Sequence, residues 1–237
     1  MSDLERIVSC YNTMKAIDAT DEAGKIKAKF VLENLLLSTN DLSVIDFQYD
    51  CLGDTTDKWA YLTCRAAFTK RSNIEPYLLT KFASECDNHK KADVIHILGR
   101  IRSNKALALA LENVDSNDTY LREVCLYVIG WTGQLNEINL LSKHLTSEST
   151  QKLKITAGSA LRQIAWRITD SKNEILKVLK QAFYQENDRL VIARIIELIS
   201  SITVKNLGLR EDKENPDELL GDVDKAIIRA KIFLESI

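Results

Sequence analysis

Apolar residues fall at helical spacing along this chain, and a small or tight-packing residue returns inside successive apolar stretches. Ala67, Gly99, Gly130, Ala165 and Ser200 follow one another at intervals of 32, 31, 35 and 35 residues. Aligned on that residue, the stretches read Ile97, Leu98, Gly99 with Ile101; Val128, Ile129, Gly130; Gln163, Ile164, Ala165 with Ile168; and Leu198, Ile199, Ser200 with Ile202. Each is followed by a polar turn and a second apolar-periodic segment: Ala106 to Asn113, Ile138 to Leu145, Ile175 to Phe183. Periods of this length belong to stacked helix pairs, each unit supplying an A-helix and a B-helix. A small residue suits the point where two helices cross at close range, and close packing must offset the ~1 kcal/mol of helix propensity that Gly costs.

Extended backwards, the register reaches Ala67 in a helix from Asp57 to Thr69, followed by one with Pro76 in its first turn. An earlier pair, Leu4 to Ala19 and Asp21 to Leu37, reads as an N-terminal cap. Helix starts are signalled by Thr20 or Asp21, Thr56 or Asp57, Ser103 or Asn104, Asn117 or Asp118, Ser171, and Asn187 or Asp188, residue types whose side chains accept from orphan amides of a first turn. Residues 39–57 read as irregular or as one short helix. Residues 204–217 read as a charged loop containing Pro216, before a last helix from about Pro216 or Asp222 to Glu235. The expected fold is all-α: a right-handed α-solenoid of about six antiparallel helix pairs in a single domain over 1–237. Within it, 1–57 holds the cap and an acidic segment, 58–203 the regular repeats, and 204–237 the charged loop and C-terminal capping helix.

Composition agrees with this pattern. The 237 residues are 45% hydrophobic and 28% charged, with only 8 Gly and 2 Pro, which disfavours a many-stranded fold that needs frequent turns. No run of ~18 apolar residues occurs, so no membrane segment is expected. The opening Ser2, Asp3, Glu5 and Arg6 leave no apolar core for a signal peptide. Five scattered cysteines without a Cys-x-x-Cys pair are expected to be reduced thiols in a cytoplasmic protein. The net charge of −2 conceals −6 over residues 1–57, +7 over 58–205 and −3 over 206–237.

Leu98, Gly99, Arg100 and Ile101, set ahead of a polar turn and a second helix, resemble the HEAT-repeat family, especially its short lyase-type repeats, over residues 58–203. The resemblance implies a right-handed solenoid with A-helices on the convex and B-helices on the concave face, serving as a scaffold for protein or nucleic acid.

Motifs of bond chemistry are missing: there is no phosphate-binding glycine loop, no His-Glu-x-x-His and no Gly-x-Ser-x-Gly, and Gly158 with Ser159 lies mid-helix. Cys86, His89 and His96 lack a fourth metal ligand, so neither a metal nor a cofactor is expected. Two surfaces are candidates for a partner. The first is the acidic segment of Asp41, Asp46, Asp50, Asp54 and Asp57, whose spacing does not fit a calcium loop and which could receive a basic partner. The second comes from the register: positions three before and one after the small residue are adjacent on a helix, pairing His96 with Arg100, Tyr127 with Trp131, and Arg162 with Trp166 in a cation–aromatic ladder suited to interface hot spots. Partial burial of both tryptophans between neighbouring A-helices, stabilised by arginine stacking, is the plainer reading of that ladder. Lysines 25, 27 and 29 read as a solvated face and Trp59 as core.

The expected function is non-enzymatic protein binding, in its most concrete form a cytosolic immunity protein that blocks a basic, nuclease-type toxin. The alternatives are a nucleic-acid-binding protein of the HEAT-like DNA glycosylase type, for which Trp166 and Asp170 stand four apart, and a lyase or cofactor-maturation factor suggested by the repeat type.

Overall fold

The computed structural model describes residues 1–215 and 218–236, and among them helix accounts for 74%. The chain divides into two compact units, Met1–Ala106 and Leu107–Ile237. Unit 1 holds α1 (Asp3–Ala16), α2 (Glu22–Leu37), α3 (Leu42–Asp50), α4 (Lys58–Phe68), α5 (Glu75–Ser84) and α6 (Asn88–Arg100). The last residue of unit 1 begins α7 (Ala106–Asn113), after which come α8 (Thr119–Thr132), α9 (Ile138–Ser147), α10 (Gln151–Arg167), α11 (Lys172–Gln185) and α12 (Arg189–Thr203). A hairpin of β1 (Leu209–Glu211) and β2 (Leu219–Gly221) and a final helix α13 (Val223–Glu235) complete unit 2.

Aspartates set most of the helix starts. Asp21, Asp41, Asp57, Asp87, Asp118, Asp188 and Asp222 each accept from an amide of the turn they precede, and Thr150 does the same for α10. Ser2 and Glu5 form a reciprocal capping box on α1. Ser171 does not cap: its hydroxyl donates back to the Ile168 carbonyl at 2.6 Å. The first helix stops at Ala16 rather than Ala19, because Ile17 turns extended.

In unit 1, α2 packs on α1 and α4, α4 on α6, and α5 on α6. Its core gathers Ile7, Tyr11 and Met14 of α1, Leu32 and Leu36 of α2, Val44 of α3, and Ala60, Cys64 and Ala67 of α4, with Trp59 partly buried against it. In unit 2, α10 lies between α8 and α12 and also contacts α9 and α11, while α9 meets α11. The small residue performs its expected task at Gly130, where an added Cβ would stand 2.8 Å from the Ala160 Cα across the α8–α10 contact. Gly158 performs the same task toward α12, since a Cβ there would meet Leu198 at 2.7 Å. Ser200 is only half-buried and folds its hydroxyl onto the Ile196 carbonyl. Arg167, at the end of α10, donates to the carbonyls of Gly130 at 3.0 Å and Gly133 at 2.6 Å, closing the C-terminus of α8.

Two expectations are corrected. The stretch 204–217 is not simply a loop, because Leu209–Glu211 pairs antiparallel with Leu219–Gly221 in the register Leu209 to Gly221, Arg210 to Leu220 and Glu211 to Leu219. Gly208 and Gly221 take the positive φ angles of +100 and +132 that bracket this hairpin, and β1 rests on α12. The last helix begins at Val223 with Asp222 as its cap, while Pro216, the alternative start, lies outside the described residues.

Candidate functional site

The repeat period reappears in the charged side chains. Lys25 binds Asp57 and Lys154 binds Glu186, each pair 32 residues apart, while Arg162 binds Glu197 and Arg189 binds Asp224, each pair 35 apart. Each cation thus reaches a carboxylate within or at the end of a later helix. Lys25 is the clearest departure from a solvated lysine face: it is 2% exposed and donates to Asp57 at 2.5 Å and to the Met14 carbonyl at 2.9 Å.

Four of the five aspartates of the acidic segment are engaged within unit 1, and of the two readings of residues 39–57 the structure shows the short helix, α3, with a 3-10 turn at Cys51–Gly53. Asp41 caps α3, and Asp57 caps α4 while holding Lys25. Asp46 accepts from Tyr77 at 2.6 Å and pairs with Lys81. Asp54 accepts from Tyr11, Lys15 and Thr56, and these bonds hold its carboxyl far below the ordinary range. Asp50 keeps a side chain 75% exposed, with Lys90 at 3.5 Å.

Further along unit 1, Asp93 of α6 is fully buried and accepts from the Tyr61 hydroxyl at 2.6 and 2.7 Å and from Arg65 at 3.1 Å. His89 turns its Nε2 toward the Tyr61 hydroxyl at 3.3 Å. His96 is largely buried, and that burial, reinforced by the Arg65 and Arg100 cations, lowers its imidazole to about 4. His96 and Arg100 therefore differ: the imidazole is drawn inward and the guanidinium is exposed. Cys86 is an exposed thiol, and no trio of His, Cys, Asp or Glu among the described residues stands close enough to hold a metal ion.

Unit 2 carries the other two rungs on the neighbouring helices α8 and α10. Tyr127 and Trp131 stack at 6.4 Å between centroids and 24° between planes, both half-buried. Trp166 is 59% exposed and holds the Arg162 guanidinium over its ring at 4.9 Å. Arg162 is fixed from behind by Glu197 at 3.0 and 3.2 Å and by Glu211 of β1 at 2.9 Å, and Glu211 also meets Arg194 at 3.4 Å. Burial raises the Glu197 carboxyl, outweighing the two arginines that oppose the shift. The arginine stacking expected of the plainer reading is present at Trp166, with the indole more exposed than covered. The i, i+4 pairing of Trp166 with Asp170 fails, because α10 ends at Arg167 and Asp170 sits in a separate 3-10 turn.

Chemically, this surface offers a flat aromatic face with a cation already in position, backed by carboxylates that lock its rotamer. What these side chains can offer a partner is stacking, hydrogen bonding and charge. Sequence reasoning found Arg162 and Trp166 but missed Glu197, Arg194 and Glu211, although Glu197 stands one repeat after Arg162. No helix among the described residues is long and apolar enough to cross a membrane. No protein-family model matches the chain, and no curated protein matches it.

Proposed function

We propose that this chain is a HEAT-like helical-repeat scaffold that binds another protein and carries out no bond chemistry. The succession of α8, α10 and α12 as packed neighbours, with α9 beside α11, supports the repeat reading in unit 2. The observation that carries the binding reading is Trp166, a large aromatic left mostly in solvent while two carboxylates, Glu197 and Glu211, hold its stacked arginine in place. Ordering such a side chain before a partner arrives removes part of the entropic cost of association, which is why rigid Trp and Arg anchors dominate interface energetics.

The concrete form of the proposal is an immunity protein covering a toxin. With Asp41, Asp46, Asp54 and Asp57 engaged inside unit 1, a basic toxin would find Asp50 as the main open carboxylate of that segment, so the anchor shifts to Trp166.

The test is affinity capture from the native host with the full chain, followed by titration of the recovered partner. Trp166→Ala is expected to weaken it about 30-fold, while Asp50→Lys changes mainly the association rate. Salt-steep binding to DNA or tRNA that ignores Trp166→Ala would replace the proposal with nucleic-acid recognition.

A further inference from the structure

A groove of about 800 Å³ opens where the hairpin meets α12 and α13, and its wall includes Ser201, Lys205, Gly208, Arg210, Gly221 and Arg229. The three cations come from three separate places: the residues after α12, β1, and α13. None has a carboxylate within ion-pair distance among the described residues; Lys205 rests over the Phe233 ring at 4.9 Å. The two acids of the same wall, Glu197 and Glu211, are taken up by Arg162 and Arg194. Two more hairpin acids face their own loop, Asp212 accepting from the Glu214 amide and Glu218 from Asn215. Among the described residues, the groove therefore keeps three positive charges without an internal counterion.

Its floor is built for this. Gly208 has no side chain where the Arg229 guanidinium lies, and a Cβ there would stand 2.8 Å from the Arg229 Nη1. A Cβ on Gly221 would run into the Gly208 carbonyl. Two glycines thus let the strand ends close up and seat an arginine against bare backbone.

We propose that this groove is a binding site for a phosphomonoester group. Two planar guanidiniums and one ammonium, set on separate elements, match an anion with three terminal oxygens and close to two charges. A single carboxylate has two oxygens and one charge, and would leave a cation unanswered. A nucleic-acid backbone presents one charge per phosphate and needs a long basic track, whereas this groove gathers three cations. This site stands apart from the Trp166 surface and does not depend on the identity of the protein partner.

The experiment is an NMR titration of the full chain at low salt with phenyl phosphate, a phosphoserine peptide and inorganic phosphate, with glutarate and a short single-stranded oligonucleotide as comparators. The phosphate probes should shift the Gly208 and Gly221 amides saturably, and Arg210→Gln with Arg229→Gln should weaken them by about tenfold or more. A phosphoserine peptide that outbinds inorganic phosphate identifies a modified protein as the source, and equal binding identifies a free phosphate compound. Should the double variant lose the hairpin, Lys205→Gln, which lies off both strands, reports the same loss on an intact fold. Glutarate binding as tightly as phosphate, the oligonucleotide outbinding every monoester, indifference to the arginine substitutions, or no saturable shift would each overturn the proposal.

Discussion

Each unit has a buried carboxylate beside arginine and an aromatic residue, and the two put it to opposite use. In unit 1, Asp93 is fully enclosed and spends its acceptors on Tyr61 and Arg65, so the tyrosine and its cation are pulled into the interior. In unit 2, Glu197 and Glu211 grip Arg162 from below and leave it presented over Trp166, whose face points to solvent. The same residue types therefore read as a pin in one place and as an anchor in the other. What separates them is which partner is left with an open face.

The sharpest break of this comparison is Asp93→Ala. It removes the buried carboxylate that the Tyr61 hydroxyl and the Arg65 cation share, and unit 1 should lose about 3–5 kcal/mol in denaturant unfolding; a loss below ~1 kcal/mol would mean the cluster is not a pin. The next effect is a pH dependence. Because His96 titrates at about 4 when folded and near 6.5 when unfolded, the unfolded chain binds the extra proton between those values. Stability should therefore fall as pH drops from about 6.5 to about 4, by on the order of 3 kcal/mol in all, then flatten as far as His96 is concerned. His96→Phe should remove that slope in urea unfolding, and a slope that persists would assign it to other groups.

Within unit 2, Gly130→Ala forces a methyl against the Ala160 backbone. Overpacking costs about 1–3 kcal/mol, and the better helix propensity of Ala returns under about 1, so a net loss of roughly 1–2 kcal/mol is expected by thermal unfolding. Trp166→Ala should be the mildest for the fold, within about 0.5 kcal/mol of wild type, despite its large effect on the partner. A Trp166 variant that unfolds as readily as the Asp93 variant would erase the distinction between anchor and pin.

Much of the helical plan was legible because it is written locally. Asp21, Asp57, Asp118 and Asp188 announce the turns they cap, and Gly130 announces the crossing it permits. The acidic segment was misleading because its neutralising groups, Lys15, Lys81 and Lys90, lie up to forty residues away, and charge counted by region is blind to pairing. Lys25 looked solvated for the same reason. The hairpin escaped because strands of three residues carry too little alternation to compete with a loop reading, although Gly208 and Gly221 marked both ends. The spacing of Trp166 sets it beside Arg162, but its exposure depends on how α10 lies between α8 and α12, which no single helix encodes.

Arg167 has a consequence for how unit 2 is born. The carbonyl end of α8 stays ragged until a side chain made 34 residues after Gly133 arrives to seal it. During synthesis each helix of this kind waits for its successor, so a nascent chain halted between α9 and α10 would emerge with a fraying terminus.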